Sequence, residues 1–293
     1  MTRRAYLAIG HVAADMTPQG RVLGGTSAYA AQVAAAFGLQ PMIWTSAAPD
    51  DPLLAALAHQ ADVDLLPSDH TTTFENIYAS AERQQVVRAT AARLTPANLP
   101  NHLRDQRTNR VPLVHLAPIC DDVAPALAHH FADSTVLITL QGWLRRWGAD
   151  GSVRLRRWFE ADVLRKADLV VLSEEDIAAA PDLEAQFARY ARHLVVTRAA
   201  RGGIYYRDSV PMPYAAPMMP QASICDPTGA GDIFAAALLA SWPLLESDAR
   251  WALAVAAQLA ALSVTRRGLA SAPSAAEVRS ALAGSQRRLQ VDA

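Results

Sequence analysis

The chain has 293 residues, 51% of them hydrophobic and 19% charged, enough apolar material to bury a large core and too much for a disordered chain. A net charge of −1, from 27 basic and 28 acidic residues, gives no electrostatic footprint for nucleic acid or an anionic membrane, so neither is expected as a partner. Two cysteines, Cys120 and Cys225, exclude a disulfide framework and are read as buried thiols, while an apolar N-terminal stretch that stops at Gly10 is too short for a signal core or a span and predicts a cytoplasmic protein.

Ala5 to Gly10 reads as a buried strand ending in glycine, and a polar turn with Asp15, Pro18 and Gly20 follows. The diglycine Gly24-Gly25, a Ser/Thr cap at Thr26 or Ser27 and an alanine-rich run closed by Gly38 predict a helix. Pro41 to Ala48 is a strand, Asp51 to Gln60 a helix and Val63 to Leu66 a strand, the alternation of a parallel sheet. Thr71 to Ala79 and Arg83 to Arg88 break that rhythm as a β-hairpin, on residues alone an ordinary edge hairpin. Val111 to Ala117 and Thr135 to Leu140 are buried strands around a helical segment from Val123 to Phe131. In Gln141 to Trp147, Arg145 or Arg146 could meet a phosphate, or the two Trp and two Arg could pack as a rim.

Ala167 to Leu172 is a further strand, and Ser173 with Glu174, Glu175 and Asp176 reads as a capped helix start. Leu194 to Thr197 is a strand entering a turn through Gly202-Gly203, Trp251 to Val264 is a helix, and the polar end from Ser285 is read as frayed. Between them lies Cys225-Asp226-Pro227-Thr228-Gly229-Ala230-Gly231-Asp232, followed at once by an apolar helix. Glycines around one alanine let N–H groups converge at a helix N-terminus, which is a seat for an anion, and an acid beside a phosphate suits proton abstraction from an alcohol. A glycine turn with Asp232 as a plain first-turn acid is the other reading.

The segment Asp226 to Asp232 resembles the D-T-x-G-A-G-D signature of the ribokinase/PfkB family of carbohydrate and nucleoside kinases, with Pro227 in place of Thr. The resemblance implies a ribokinase-like three-layer αβα sandwich, a single domain over 1–293 with a mostly parallel central sheet, and a small β-sheet lid from segments near 11–23 and 71–92. It implies ATP and Mg²⁺, with Asp232 as general base and the amides of Gly229, Ala230 and Gly231 as anion hole. Asp15, Gly24, Gly25, Tyr29 and Asn76 fall on the acceptor side, with Tyr29 where the family often has Asn. Thr197, Gly202, Thr228 and Ser173 fall on the donor side, with Ala199 replacing a family glycine. Asp176 stands for the acid that holds Mg²⁺ through water, Asp226 for a ligand of a monovalent cation such as K⁺, and a homodimer through the lid is an assembly open to it.

The phrases Thr73 to Tyr78 and Leu140 to Arg145, with Tyr29, are similar to the inositol-kinase-like branch. A sugar or polyol acceptor, myo-inositol first, is therefore expected. The alternatives are a nucleoside kinase, whose base would stack on Tyr29, and a non-catalytic sugar- or nucleotide-binding relative.

Overall fold

The computed structural model describes residues 3–77, 84–106, 109–131 and 133–291. The N-terminal third supplies β1 (Ala5–Ile9), β2 (Ala13–Thr17), β3 (Gly20–Gly24), α1 (Thr26–Ala36), β4 (Gln40–Ala47), α2 (Leu53–Ala58), β5 (Asp62–Pro67), β6 (Thr73–Ile77) and β7 (Gln84–Ala89). The middle supplies α3 (Asn101–Arg104), β8 (Leu113–Leu116), β9 (Thr135–Thr139), β10 (Arg145–Trp147), β11 (Val153–Leu155), α4 (Ala161–Lys166), β12 (Leu169–Ser173) and α5 (Leu183–Tyr190). The last third adds β13 (His193–Thr197), β14 (Gly203–Arg207), β15 (Val210–Tyr214), α6 (Ala230–Ala240), α7 (Trp242–Ser247), α8 (Ala249–Ser263) and α9 (Ala275–Val291).

Nine strands form one sheet in the order β15-β14-β13-β12-β9-β8-β1-β4-β5. From β13 to β5 all pairs are parallel, and β14 and β15 close one edge as an antiparallel hairpin. Parallel strands covered on both faces need apolar residues at every position, and β1 shows it. Tyr6 and Ala8 pack with α1, α6 and α8, whereas Leu7 and Ile9 pack with Leu103, Leu164 and Phe187 of α3, α4 and α5. Helix α6 is buried without interruption from Ile233 to Leu239, because it touches α1 and α8 as well as the sheet.

A second sheet, ordered β3-β2-β6-β7, joins the stretch after β1 to the expected hairpin and stands apart from the nine strands. This is the lid arrangement that the resemblance implied, not the ordinary edge hairpin. Tyr78, Ala79 and Arg83 of that expected hairpin lie outside the described residues.

Four local readings are corrected. The segment from Val123 to Phe131 holds a 3₁₀ helix over Pro125–His129, since Pro125 removes a donor and the segment is short. Helix α9 continues to Val291 where a frayed end was expected. Cys225 is exposed, not buried, while Cys120 is buried as expected. The antiparallel β10–β11 pair is new, and it docks on the lid through Val87 N–H donating to Gly151 O at 2.9 Å.

Candidate active site

Ligands of parallel α/β sheets gather at the C-terminal strand ends, and there the N-termini of α1 and α6 meet. Gly229 caps α6 in the left-handed conformation at φ +83°, and a Cβ on it would sit 2.5 Å from the Tyr29 ring. Glycine is thus demanded twice, by the backbone angle and by the ring. The first amides of α6 stand at the positive end of the helix dipole, although Ala230 N–H donates to Pro227 O at 3.2 Å, a bond it would have to share with an anion.

Asp232 lies in that first turn, and its Oδ1 accepts a 2.7 Å hydrogen bond from Thr26 Oγ1. Protein surrounds the carboxyl, yet it keeps a face open to solvent, as a group that must meet a substrate does. Burial raises its pKa to about 6; the Thr26 hydroxyl and the Arg145 guanidinium act against that rise, and Asp176 and Asp15 add to it. An acid in this range is matched to accepting a proton near neutral pH.

On the acceptor side, the Asp15 carboxylate of β2 packs directly over Gly24, where a Cβ would collide with Oδ2. Gly25 is the N-cap of α1 at φ +90° and makes no side-chain cap, so the expected Ser/Thr cap is absent. The two hydroxyls serve other partners, Thr26 binding Asp232 and Ser27 donating to Gly10 O at 3.0 Å. Tyr29 is expected among the acceptor-side residues, in the place where the family often has Asn. It is 2% exposed with its ring against Gly229, and burial, Asp232, Asp15 and Asp226 hold its phenol above the ordinary range. Asn76 reaches the site through a relay: Gln85 Nε2 donates to Asn76 Oδ1 at 3.5 Å, Arg145 Nη1 donates to Gln85 Oε1 at 3.2 Å, and Arg145 Nη2 reaches Asp176 Oδ1 at 3.3 Å.

On the donor side, Ser173 and Asp176 form a capping box. Asp176 Oδ2 accepts from Ser173 N–H at 3.0 Å, and Ser173 Oγ accepts from Glu175 N–H at 3.2 Å. With Arg145 on its other oxygen and 4% exposure, Asp176 shows the contacts of the capping alternative. No group of three or more potential metal ligands occurs among the described residues. The chain therefore has no preformed inner-sphere Mg²⁺ cage among those residues, which is ordinary for an ion that travels with substrate phosphates. Asp226 Oδ1 accepts from Thr228 N–H at 2.9 Å. Thr197 stands in register with Ser173, and the loop after it is closed by Arg198 N–H donating to Gly202 O at 2.7 Å. Ala199 holds a left-handed φ of +48°, so this loop keeps a glycine-like backbone without the glycine.

The structure thus brings Asp15, Gly24, Tyr29, Gly229 and Asp232 into one cluster, with Asp176 and Arg145 beside it, whereas Thr197 and Gly202 stand at the neighbouring strand end. Thr26 and Gln85 contact candidate site residues and are missed by sequence reasoning. Thr26 does carry a signal, a hydroxyl straight after the diglycine, but local rules read it only as a cap.

Residues 143–276 match the family model described as pfkB family carbohydrate kinase. A search of curated protein sequences gives no significant match. Among solved structures, a pyrophosphate-dependent kinase in the ribokinase family, complexed with a pyrophosphate analog and myo-inositol, is similar with a TM-score of 0.73 at 20% identity, covering 90% of this chain and 96% of that one. A pyrophosphate-dependent myo-inositol-1 kinase converted into a myo-inositol-3 kinase gives 0.74 at 18%, covering 96% and 99%. Arabidopsis thaliana ribokinase complexed with ribose and ATP gives 0.74 at 16%, also covering 96% and 99%. At such identities these likenesses establish the fold, and the sequence match speaks for the segment that holds Arg145, Asp176 and the Asp226 to Asp232 signature. Residues 143–276 are thus similar to the pfkB family carbohydrate kinase model, and the chain as a whole has the fold of ribokinase family structures.

Proposed function

We propose that the chain transfers the γ-phosphoryl group of ATP to a hydroxyl of a small sugar or polyol, with myo-inositol or a close relative as first candidate. The observation that carries this reading is the Asp232 carboxyl, poised near neutral pH at the N-terminus of α6 beside the left-handed Gly229 turn. In the reaction the acceptor O–H proton passes to Asp232, the alcohol oxygen bonds to the γ-phosphorus, and the bond to the β–γ bridging oxygen breaks to release ADP. The amides of Gly229, Ala230 and Gly231 stabilise negative charge on the transferring group, a contribution that grows in the transition state. Arg145, whose charge already bears on Asp232, adds a cation on the same side. Mg²⁺ bound with the donor phosphates would supply charge neutralisation, and Asp176, both of whose oxygens have protein partners, would act on it through water.

Single-domain organisation, K⁺ at Asp226 and a homodimer through the lid belong to this same reading. The nucleoside alternative loses its main support, since the buried Tyr29 ring faces Gly229 and offers no face for a base.

The test is a panel of myo-inositol, ribose, fructose and a nucleoside, each offered with ATP or with pyrophosphate and followed by phosphorus NMR of the product. The pyrophosphate arm is included because two similar structures are described as pyrophosphate-dependent. We expect a phosphorylated cyclitol and ADP. Turnover of a nucleoside in preference to all sugars and polyols, or no turnover in any arm, would overturn the proposal.

A further inference from the structure

Helix α1 begins at Thr26 with no side-chain cap, although both of its first residues carry hydroxyls suited to that task. Thr26 is 2% exposed and its Oγ1 lies 2.7 Å from Asp232 Oδ1, across 206 residues of chain. A β-branched residue has few rotamers, and burial fixes the one that points at α6. Its neighbour Ser27 is anchored to the end of β1 through Gly10 O, so the start of α1 is held from two sides while the Thr26 hydroxyl faces the acid. One carboxylate oxygen is thereby tied down, and the proton-accepting role falls to Oδ2.

We infer that Thr26 is a positioning residue that orients Asp232 for proton abstraction, linking the acceptor-side helix α1 to the phosphoryl-side helix α6. The inference rests on the reading of Asp232 as general base. The charged and titratable groups that bear on Asp232 are Arg145 from β10, Asp176 from the turn after β12, Asp15 from β2 and Tyr29 from α1 itself. Thr26 is the hydroxyl donor among the causes that lower its proton affinity, so its removal moves that affinity upward. Loss of one hydrogen bond to a charged group displaces its titration by about one to two pH units.

The experiment compares the wild-type chain with Thr26→Val, Thr26→Ser and Asp232→Asn, reading kcat/KM against pH with the acceptor and donor found by the panel above. Thr26→Val should move the acid limb upward by about one pH unit or more and lower the plateau at least about tenfold, and Thr26→Ser should restore both. Circular dichroism accompanies each variant; should valine prevent folding, Thr26→Ala gives the same comparison. Carbon-13 NMR titration of the carboxyl resonance that Asp232→Asn abolishes follows the same protonation without turnover. An acid limb and resonance unmoved in a folded variant, or a serine variant as impaired as valine, would overturn the inference. Full activity in Asp232→Asn would instead overturn the base assignment, and with it this inference.

Discussion

At Asp232 the physics of stability and of catalysis oppose one another. A carboxyl whose pKa is raised from 3.8 to about 6 binds its proton more tightly in the folded chain than in the unfolded one. Stability from this group is therefore present below the unfolded value and is lost as pH rises through about 6. Asp232→Asn should raise stability at pH 7 to 8 by on the order of 1–2 kcal/mol after allowing for the open face of the side chain, seen as a higher melting temperature. The gain should fade as pH falls through about 6 and vanish by about pH 3, where the acid is neutral in both states. The same variant should lose roughly 10²- to 10⁴-fold in rate. In the wild type, kcat/KM should fall as pH drops through about 6. Melting curves and pH–rate profiles check both halves; a variant destabilised at neutral pH would mean that Asp232 has no desolvation cost. The placement of Asp232 in the first turn after the glycines was legible in the sequence because the glycines and the acid are contiguous, so local backbone rules reach all of them. The Thr26 contact was not, since nothing local separates a hydroxyl that caps its own helix from one that serves a distant carboxylate.

Among elements, the unanticipated β10–β11 pair is the most consequential. Three-residue strands carry too little alternation to be read, and Arg145, Arg146 and Trp147 fit a packed rim as well as a strand. In the structure Arg145 bridges Gln85 of the lid strand β7 and Asp176 near Asp232. The capping box around Asp176 was readable from Ser173 and the acids that follow it, but its partnership with Arg145 needed the fold. Arg145→Ala should leave a nearly buried carboxylate with only its backbone partner, at a cost of about 2–3 kcal/mol given that the arginine is partly solvated. Adding Asp176→Asn to that variant should recover more than half of the loss, since no uncompensated charge then remains. Urea unfolding of the two single variants and the double closes the cycle. Strictly additive losses would mean that the pair does not couple, and that β10 holds the lid by its backbone alone.

At the scale of the whole molecule, the layer order followed from strand and helix alternation, and the lid followed from the family signature. What neither revealed is how the lid is rooted in the main sheet. Asp122 is 3% exposed and accepts three backbone hydrogen bonds, from His11 N–H at 2.7 Å, Ile119 N–H at 2.7 Å and Cys120 N–H at 2.9 Å. It thereby clamps the exit of β1 to the exit of β8, across 111 residues of sequence. His11 extends the clamp, its Nδ1 meeting Thr72 Oγ1 at 2.7 Å and its Nε2 donating to Ala92 O at 2.9 Å, just before β6 and just after β7. Both roots of the lid thus converge on one buried carboxylate. Removing it strands three buried donors, each worth about 1–3 kcal/mol if no water replaces the acceptor. Asp122→Ala should therefore cost at least about 3 kcal/mol, seen as a lower urea midpoint. Asp122→Asn should recover part of the loss, because its carbonyl can still accept from Ile119 and Cys120 while its amide nitrogen would face the His11 N–H. The lid should also be cut faster by protease in both variants under native conditions, since its attachment opens before the core does. An alanine variant with unchanged midpoint and unchanged lid cleavage would show that the backbone pairing of β1 with β8 suffices to root the lid, and that Asp122 only fills space.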